Sequence, residues 1–397
     1  MTAVGELTEV PLVGGPVEIR GALDLEQTDV GLRPRRLLAW TRPQIPEAFG
    51  DMVVAQPSGV RLVLTTEAST LELTVRIGRT LFPGAPEPQP AGVFALVVDG
   101  TPTQTVLAPD GQVLAMLDFA APPTVLPGEP GTVRFGPLPP GPVEVEVWLP
   151  QAAQVELIRL RADGPVTAPS PPAGPHWVHH GSSISHCIEA DSPLGVWPVV
   201  AARLVGANLT SLGFAGNAML DPYTARTIRD LPADLISLKI GINIVGADAM
   251  RMRTFPPAMD GFLDTIREGH PYTPLLLISP VSCPMLETRP GPADTERGAP
   301  EAPFFSIGDP RWLEYGALTL QRVRHILRDL VDRRAAADEN LHYLDGRDLF
   351  GEDDLLDLPD ALHPNAAGYR RMGERFAALA FGDRGPFATT ARVQAAP

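Results

Sequence analysis

The chain has 397 residues, of which 44% are hydrophobic and 20% charged, so it can bury a core and is not intrinsically disordered. Its net charge of −15 disfavours nucleic acid and anionic membrane surfaces as partners. Two cysteines, Cys187 and Cys283, cannot form a disulfide framework. The N-terminal sequence lacks the basic start and apolar core of a secretion signal, and no apolar run approaches the ~20 residues of a membrane helix. We therefore expect a cytoplasmic protein of two domains.

Residues 1–165 are predicted to form an all-β sandwich domain. Apolar and polar residues alternate in several runs, most clearly in LELTVRI at 71–77 and VEVEV at 143–147. This period of two buries one face of a strand, and breaks such as PPGP at 139–142 separate the runs. No segment here has a convincing helical period, so we expect antiparallel strands in two packed sheets.

A proline-rich linker is predicted to follow the sandwich. Residues 163–175, DGPVTAPSPPAGP, contain five prolines and one charged residue, a composition typical of a semi-rigid tether. We place the linker at 166–175 and a second domain at 176–397.

The second domain is predicted to be α/β. Short apolar strands alternate with longer amphipathic segments, a pattern that favours a parallel sheet. The expected strands lie at 176–180, 207–212, 235–240, 274–279 and 341–345, and the expected helices lie around 193–205, 258–268, 311–335 and 365–380. Residues 284–309 contain five prolines and no periodicity, which predicts a long mobile loop.

Polar residues suited to acyl transfer follow the predicted strands. Ser183, Gly216 and Asn243 each come just after a strand, and Asp360 and His363 precede the last helix. Open parallel sheets bind ligands at the carboxyl ends of their strands, so these residues are expected to meet there. A serine becomes a nucleophile when an imidazole takes its proton and a carboxylate orients that imidazole. Backbone N–H groups and a side-chain amide can stabilise the resulting oxyanion.

Four short blocks resemble the SGNH, or GDSL, hydrolase superfamily. Residues 181–185, GSSIS, are similar to block I, and DALHP at 360–364 matches block V. Gly216 takes the place of the block II glycine, and Gly-x-Asn at 241–243 matches block III. The resemblance covers about residues 176–382. It implies a flavodoxin-like three-layer fold, in which a parallel sheet lies between helices on both faces.

The resemblance also implies a role for each residue of the site. Ser183 would be the nucleophile, His363 the general base and then acid, and Asp360 the group that orients the imidazole. The N–H groups of Ser183 and Gly216 and the amide of Asn243 would form the oxyanion hole. Ser182 stands where the family has an aspartate that is not the catalytic one, so the triad is expected to be intact.

Other polar clusters have simpler interpretations. Adjacent strand residues diverge, so the pair at 179–180, HH, is not expected to bind a metal ion. His342 and Asp345 are expected on opposite faces of a strand, and Gly213 is an alternative to Gly216 as oxyanion donor. The arginines at 33, 35 and 36 could grip a phosphate, although a solvated surface patch is the better default.

A β-sandwich ahead of such a domain resembles two-domain carbohydrate esterases and the GDSL-type acyltransferases that modify tetracycline-like polyketides. The resemblance implies an O-acyltransferase that moves an acyl group, with aryl groups among the candidates, from acyl-CoA to a hydroxyl of a polyketide-like acceptor. Acyl-CoA would be a co-substrate, with no cofactor or metal ion. Ester hydrolysis or sugar O-deacetylation is the first alternative, and a degenerate glycan-binding protein is the second. The sandwich could be a carbohydrate-binding-like, acceptor-shaping module or a purely structural domain, and the oligomeric state stays open.

Overall fold

The computed structural model describes residues 6–295 and 303–388. They fall into two units: the described residues up to Pro172 with Asp191–Leu194, and Ala173–Ala190 with the described residues from Gly195 onward. None of the helices in these ranges combines the length and hydropathy needed to cross a bilayer.

The first unit consists of two β-sheets and a helix, α1 (Ala48–Val54). Its strands are β1 (Thr8–Val10), β2 (Glu18–Arg20), β3 (Asp24–Gln27), β4 (Leu32–Arg35), β5 (Arg61–Thr66), β6 (Leu71–Leu81), β7 (Val93–Val98), β8 (Thr101–Leu107), β9 (Gln112–Ala115), β10 (Thr124–Leu126), β11 (Gly131–Phe135), β12 (Val143–Trp148), β13 (Gln154–Ala162) and β14 (Val166–Thr167). An eight-stranded sheet has the order β10-β9-β6-β13-β4-β3, with β1 on β13 and β11 on β6. A six-stranded sheet has the order β14-β5-β12-β7-β8, with β2 on β5.

The alternating sequence pattern explains the core of this unit. Leu73 and Val75 of β6 are fully buried, and Thr74 between them is only partly covered. They share one apolar core with Leu62 and Leu64 of the other sheet, which confirms the predicted all-β sandwich.

Two features of the sandwich differ from the sequence prediction. β6 and β9 are parallel rather than antiparallel, because β11 pairs only with Leu71–Val75 and leaves the far end of β6 to β9. Helix α1 was not expected, since seven residues with Met52, Val53 and Val54 buried in succession show no helical period.

The strand β14 lies inside the segment predicted to be a linker. Val166 and Thr167 pair with β5. Ser170 is also hydrogen-bonded within this unit, because its N–H donates to Glu144 at 3.1 Å and its carbonyl accepts from Arg20 at 2.8 Å. These contacts join part of the proline-rich segment to the first unit.

The arginine cluster of the first unit is not the solvated patch that the sequence suggested. Arg35 is 2% exposed and pairs with Asp51 and Glu26. Arg33 pairs with Glu156, whose side chain is 1% exposed. Strand β3 lies beside β4 and brings Glu26 opposite Arg33, so tertiary pairing that the local sequence does not show neutralises these cations.

The second unit is built on a parallel sheet. Its strands are β15 (His176–Gly181), β16 (Asn208–Gly213), β17 (Leu235–Lys239), β18 (Leu275–Ile278), β19 (Ala293–Asp294), β20 (Phe305–Ser306) and β21 (Leu341–Leu344). The five-stranded sheet has the order β16-β15-β17-β18-β21, and every neighbouring pair in it is parallel. This 2-1-3-4-5 order is that of flavodoxin-like folds, which confirms the predicted fold class.

Helices flank the sheet in two groups. They are α2 (Ser183–His186), α3 (Trp197–Val205), α4 (Pro222–Asp230), α5 (Ile242–Gly246), α6 (Phe255–Gly269), α7 (Pro284–Glu287), α8 (Leu320–Arg334) and α9 (Ala366–Phe381). Helix α3 packs against α9, and α6 packs between α4 and α8. The sequence did not predict α4, because the buried polar residues Thr224 and Thr227 interrupt its apolar pattern.

The segment predicted as a loop at 284–309 contains regular structure at both ends. Helix α7 starts at Pro284, since a proline at the first helical position has φ already set for the helix. Strands β19 and β20 pair in a two-stranded sheet, Ala293 with Ser306 and Asp294 with Phe305. These elements are two to four residues long, which is too short for a period to appear in the sequence. Residues 296–302 lie outside the described part of the chain.

Aromatic packing attaches the last helix to the sheet. Trp177 of β15 stacks on Phe376 of α9, with ring centroids 5.0 Å apart. Trp197 of α3 lies 5.2 Å from the same Phe376 ring, and all three side chains are fully buried. Helix α9 directly follows the loop that carries Asp360 and His363, so this cluster fixes one side of the candidate site.

Candidate active site

Ser183 lies at the carboxyl edge of the sheet, at the first position of α2. Strand β15 ends at Gly181, and Ser182 caps α2 by accepting the N–H of Ile184 on its Oγ at 3.2 Å. Ser182 therefore supports the loop locally at the position where the family has an aspartate. Gly213 of β16 lets this turn lie close to the sheet, because a Cβ at Gly213 would come within 2.5 Å of the Ser185 backbone.

A buried chain of hydrogen bonds attaches α2 to strands β15 and β17. His179 Nε2 is 2.8 Å from Ser185 Oγ, and its Nδ1 is 2.7 Å from Ser237 Oγ. The indole N–H of Trp177 donates to the same Ser237 oxygen at 2.8 Å. Burial is the main cause that lowers the pKa of His179 well below its usual value, so this ring is neutral and serves as a fixed structural contact.

The neighbouring histidine has a different environment. His180 Nδ1 donates to the Leu212 carbonyl at 2.8 Å, and its ring packs beside Phe214 and Phe262. Because successive strand residues point to opposite faces, His179 and His180 do not converge on one point where a metal ion could bind.

Ser183, His363 and Asp360 form a continuous hydrogen-bonded chain. His363 Nε2 is 2.9 Å from Ser183 Oγ, and His363 Nδ1 is 2.7 Å from Asp360 Oδ2. The other carboxylate oxygen of Asp360 accepts the backbone N–H groups of Leu362 at 2.9 Å and His363 at 2.6 Å. The same carboxylate therefore both closes the turn and orients the imidazole. The three side chains have the order and spacing of a serine–histidine–carboxylate relay.

Electrostatics favours the protonated form of His363. Burial is the largest influence and opposes the charge, but the combined attraction of Glu189 and Asp360 outweighs it and raises the pKa of His363 above its usual value. Burial also opposes the charge of Asp360, yet the hydrogen bonds and positive charge of His363 keep the pKa of this carboxyl below its usual value. The pair is therefore built to stabilise an imidazolium facing a carboxylate.

Ser183, Gly216 and Asn243, the three residues expected to form the oxyanion hole, line one cleft. The N–H of Ser183 is at the first position of α2, where no acceptor exists within the helix. Gly216 has φ of +70°, a conformation that favours glycine, and it lines the same cleft. Asn243 also lines the cleft, and its Oδ1 accepts the Ala218 N–H at 3.1 Å, so Nδ2 is the only donor group of this side chain.

The residue that sequence reasoning missed is Glu189. Its Oε1 lies 3.6 Å from His363 Nδ1, and its Oε2 accepts the phenol of Tyr369 at 2.8 Å. Glu189 belongs to none of the four blocks and follows α2 in an irregular segment. No local pattern in the sequence therefore indicates its proximity to the histidine.

An apolar cleft opens beside Ser183. Its volume is about 200 Å³, and besides Ser183, Gly216 and Asn243 its lining includes the apolar side chains of Met219, Ile242, Leu286, Phe304 and Leu362. The Phe304 and His363 rings meet at nearly a right angle, with a centroid distance of 5.6 Å. The cleft can therefore enclose an apolar group that is attached to a carbonyl at Ser183.

His342 and Asp345 were not expected to form a second dyad, and Asp345 has other partners. His342 lies within β21, whereas Asp345 caps the following 3₁₀ turn and binds Arg347 at 2.8 Å and Arg328 at 3.4 Å. These contacts account for the carboxylate of Asp345 as a structural group.

Comparisons with known proteins agree with this geometry. The family model of the GDSL-like lipase/acylhydrolase family matches residues 180–371. Among solved structures, the chain is similar to salicylyl-acyltransferase SsfX3 from a tetracycline biosynthetic pathway, with 30% identity and a TM-score of 0.73 over 94% of this chain and 96% of that one. No curated protein matches the chain by sequence.

More distant structures share the fold. A protein described as a GDSL-like lipase from Bacteroides ovatus has 18% identity and a TM-score of 0.65 over 94% of this chain and 96% of that one. A family two carbohydrate esterase from Clostridium thermocellum has 14% identity and a TM-score of 0.55 over 82% of this chain and 93% of that one. The chain belongs to the GDSL-like lipase/acylhydrolase family and is an enzyme of this type.

Proposed function

We propose that this enzyme transfers an acyl group from a coenzyme A thioester to a hydroxyl of a polyketide-like small molecule, through an acyl intermediate on Ser183. The observation that carries the chemistry is the hydrogen-bonded chain from Ser183 through His363 to Asp360. It supports nucleophilic acyl transfer because it supplies a nucleophile, a base in contact with it and a carboxylate that holds the base.

The first half-reaction loads the enzyme. Ser183 Oγ attacks the thioester carbonyl and gives its proton to His363 Nε2, while Asp360 holds the Nδ1–H of the ring. The N–H groups of Ser183 and Gly216 and the amide of Asn243 bind the oxyanion. Collapse of the tetrahedral intermediate breaks the carbon–sulfur bond, and the imidazolium returns the proton to the leaving thiolate.

The second half-reaction releases the acyl group. His363 takes the proton of the acceptor hydroxyl, whose oxygen attacks the acyl-serine carbonyl. The same donors stabilise the second oxyanion. When the intermediate collapses, Ser183 leaves as an alkoxide that receives the proton from His363, so the enzyme returns to its starting state.

Transfer rather than hydrolysis is supported by two observations. The chain shares 30% identity over 94% of its length with a protein described as a salicylyl-acyltransferase. The cleft beside Ser183 has apolar walls, which suit an apolar or aryl acyl group and disfavour water near the acyl-serine. The same two observations make an aryl-CoA the first donor to test.

The decisive experiment supplies acyl-CoA donors with and without acceptors. We would incubate the full-length protein with acetyl-, hexanoyl-, benzoyl- and salicylyl-CoA, alone and with a tetracycline-like aglycone or an acetylated sugar, and follow thiol release and products by mass spectrometry. We expect acceptor-dependent thiol release and an acylated aglycone. Free acid as the only product, whatever acceptor is present, would overturn transfer in favour of hydrolysis.

A variant and a covalent probe test the nucleophile independently. Ser183→Ala should abolish labelling by a fluorophosphonate probe and lower turnover by several orders of magnitude, because its hydroxyl forms the covalent bond. The melting temperature should stay close to that of the wild type, since the truncation removes a single oxygen atom. A wild-type protein that never labels would favour the degenerate, glycan-binding alternative.

A further inference from the structure

A second carboxylate faces the histidine of the relay. Asp360 Oδ2 lies within hydrogen-bonding distance of His363 Nδ1, at 2.7 Å. Glu189 Oε1 reaches the same nitrogen from the segment after α2, at 3.6 Å. The distance of 3.6 Å is too long for a hydrogen bond but short for two opposite charges. Glu189 therefore acts on the charge of the ring, while Asp360 holds its proton.

Tyr369 fixes the position of this second carboxylate. The Tyr369 side chain on α9 is fully buried, and its phenol donates to Glu189 Oε2 at 2.8 Å. A buried hydroxyl needs a partner, and here the carboxylate of Glu189 is that partner. Because one oxygen of Glu189 is held by the phenol, the other is directed towards His363. The side chain of Glu189 keeps 33% of its surface exposed, so water partly screens its charge.

We propose that Glu189, held by Tyr369, is a positioning residue for His363, and that its carboxylate stabilises the imidazolium formed when Ser183 gives up its proton. The catalytic part of this role rests on the acyl-serine chemistry proposed above. The electrostatic part does not, because it concerns the charge of His363 in the free protein.

The groups around His363 define what else could shift its titration. Asp360 lies on the same loop, and Glu189 approaches from the segment after α2. Tyr369 contacts Glu189 from α9, and Cys283 Sγ donates to the Ala361 carbonyl beside Asp360 at 3.5 Å. Burial raises the pKa values of the Tyr369 phenol and the Cys283 thiol, so both stay neutral while the imidazole titrates. Glu189 and Asp360 are therefore the two charges to vary.

Glu189→Gln is the most informative variant. Its amide oxygen can still accept the Tyr369 phenol, so the variant removes the charge and keeps the hydrogen bond. We would follow the imidazole signals of the full-length protein, labelled with ¹⁵N-histidine, as a function of pH, and assign His363 with a His363→Gln variant. The rate of Ser183 labelling by a fluorophosphonate, measured over the same pH range, gives a second readout.

We expect Glu189→Gln to lower the pKa of His363, because it removes an attraction that favours the charged ring. The acidic limb of the labelling profile should move to lower pH by the same amount. The plateau rate should fall by no more than about fivefold, since a partly exposed charge pair contributes little. Tyr369→Phe keeps the charge but frees the side chain, so it should give a smaller shift in the same direction.

Glu268→Gln is the matched control. It changes the net charge equally, and Glu268 lies at the end of α6 that leads to the amino edge of the sheet, where it pairs with Arg229 at 3.2 Å. It should leave the titration of His363 unchanged. A His363 titration that is identical in Glu189→Gln and the wild type would overturn the role of Glu189. Absence of labelling in the wild type would instead overturn the acyl-serine mechanism, and the titration would still decide the electrostatic role.

Discussion

Asn243 offers a test that separates catalysis from stability, because its side chain has two different tasks. Its Oδ1 accepts the Ala218 N–H at 3.1 Å, and its Nδ2 is the group that we propose to bind the oxyanion. Replacement by alanine removes both interactions, whereas replacement by aspartate keeps an acceptor for Ala218 and removes only the donor.

The expected magnitudes differ accordingly. Loss of one oxyanion donor lowers the acylation rate by about 10²- to 10³-fold, or about 3–4 kcal/mol of transition-state stabilisation. Loss of the hydrogen bond to Ala218 lowers the free energy of unfolding by about 1 kcal/mol. Asn243→Ala should therefore show both losses. Asn243→Asp should be nearly as stable as the wild type but slower than Asn243→Ala, because its negative charge repels the oxyanion.

The assay pairs single-turnover acylation by a p-nitrophenyl ester, which reports the rate, with urea unfolding, which reports stability. Oxyanion binding by Asn243 would be refuted if Asn243→Ala acylates within tenfold of the wild-type rate. It would also be refuted if Asn243→Asp is as fast as the wild type while Asn243→Ala is slow, because the acceptor to Ala218 would then be the important function.

Two further predictions concern pH. Asp360→Asn should lower the acylation rate by about 10⁴-fold. It should also move the acidic limb of the pH profile to lower pH, because Asp360 helps to hold the pKa of His363 above its usual value; a limb that stays in place while the rate falls would contradict this electrostatic role. Lys239 is 1% exposed, and burial lowers its pKa to about 8. The unfolded chain then binds more protons than the folded chain between about pH 8 and pH 10.4. The free energy of unfolding of the wild type, measured with urea, should therefore rise by about 3 kcal/mol over that range relative to Lys239→Met. The same pH dependence of this free energy in both proteins would contradict the prediction.

The sheet of the second unit could be predicted from the sequence because its strands are short, apolar and separated by longer amphipathic segments. Gly181 and Gly213 end neighbouring strands, and such endings can be recognised without knowing which strand lies beside which. The pairing of β6 with β9 could not be recognised in this way. It depends on where β11 stops along β6, a tertiary feature that no local pattern records.

The residues of the candidate site also divide into those that the local sequence indicates and one that only tertiary packing brings there. Ser183, Asn243 and His363 stand in blocks whose spacing is visible in the sequence. Glu189 lies close to His363 through tertiary packing, and Tyr369 of α9 holds it by a hydrogen bond between residues 180 positions apart. A contact of this kind follows from packing alone, so sequence reasoning had no means to find it.

The separation of Ser183 from His363 along the chain determines when the proposed site can form during synthesis. Ser183 and His363 are 180 residues apart, and the loop that carries His363 is held in place by the packing of α9 on Trp177. At roughly 5–20 residues per second, a ribosome needs about 10–40 s to pass from the serine to the histidine. During that interval the nascent chain carries a serine hydroxyl with no base beside it. Under the proposed mechanism, an acyl donor therefore meets an activated Ser183 only after the loop that carries His363 has been made and packed.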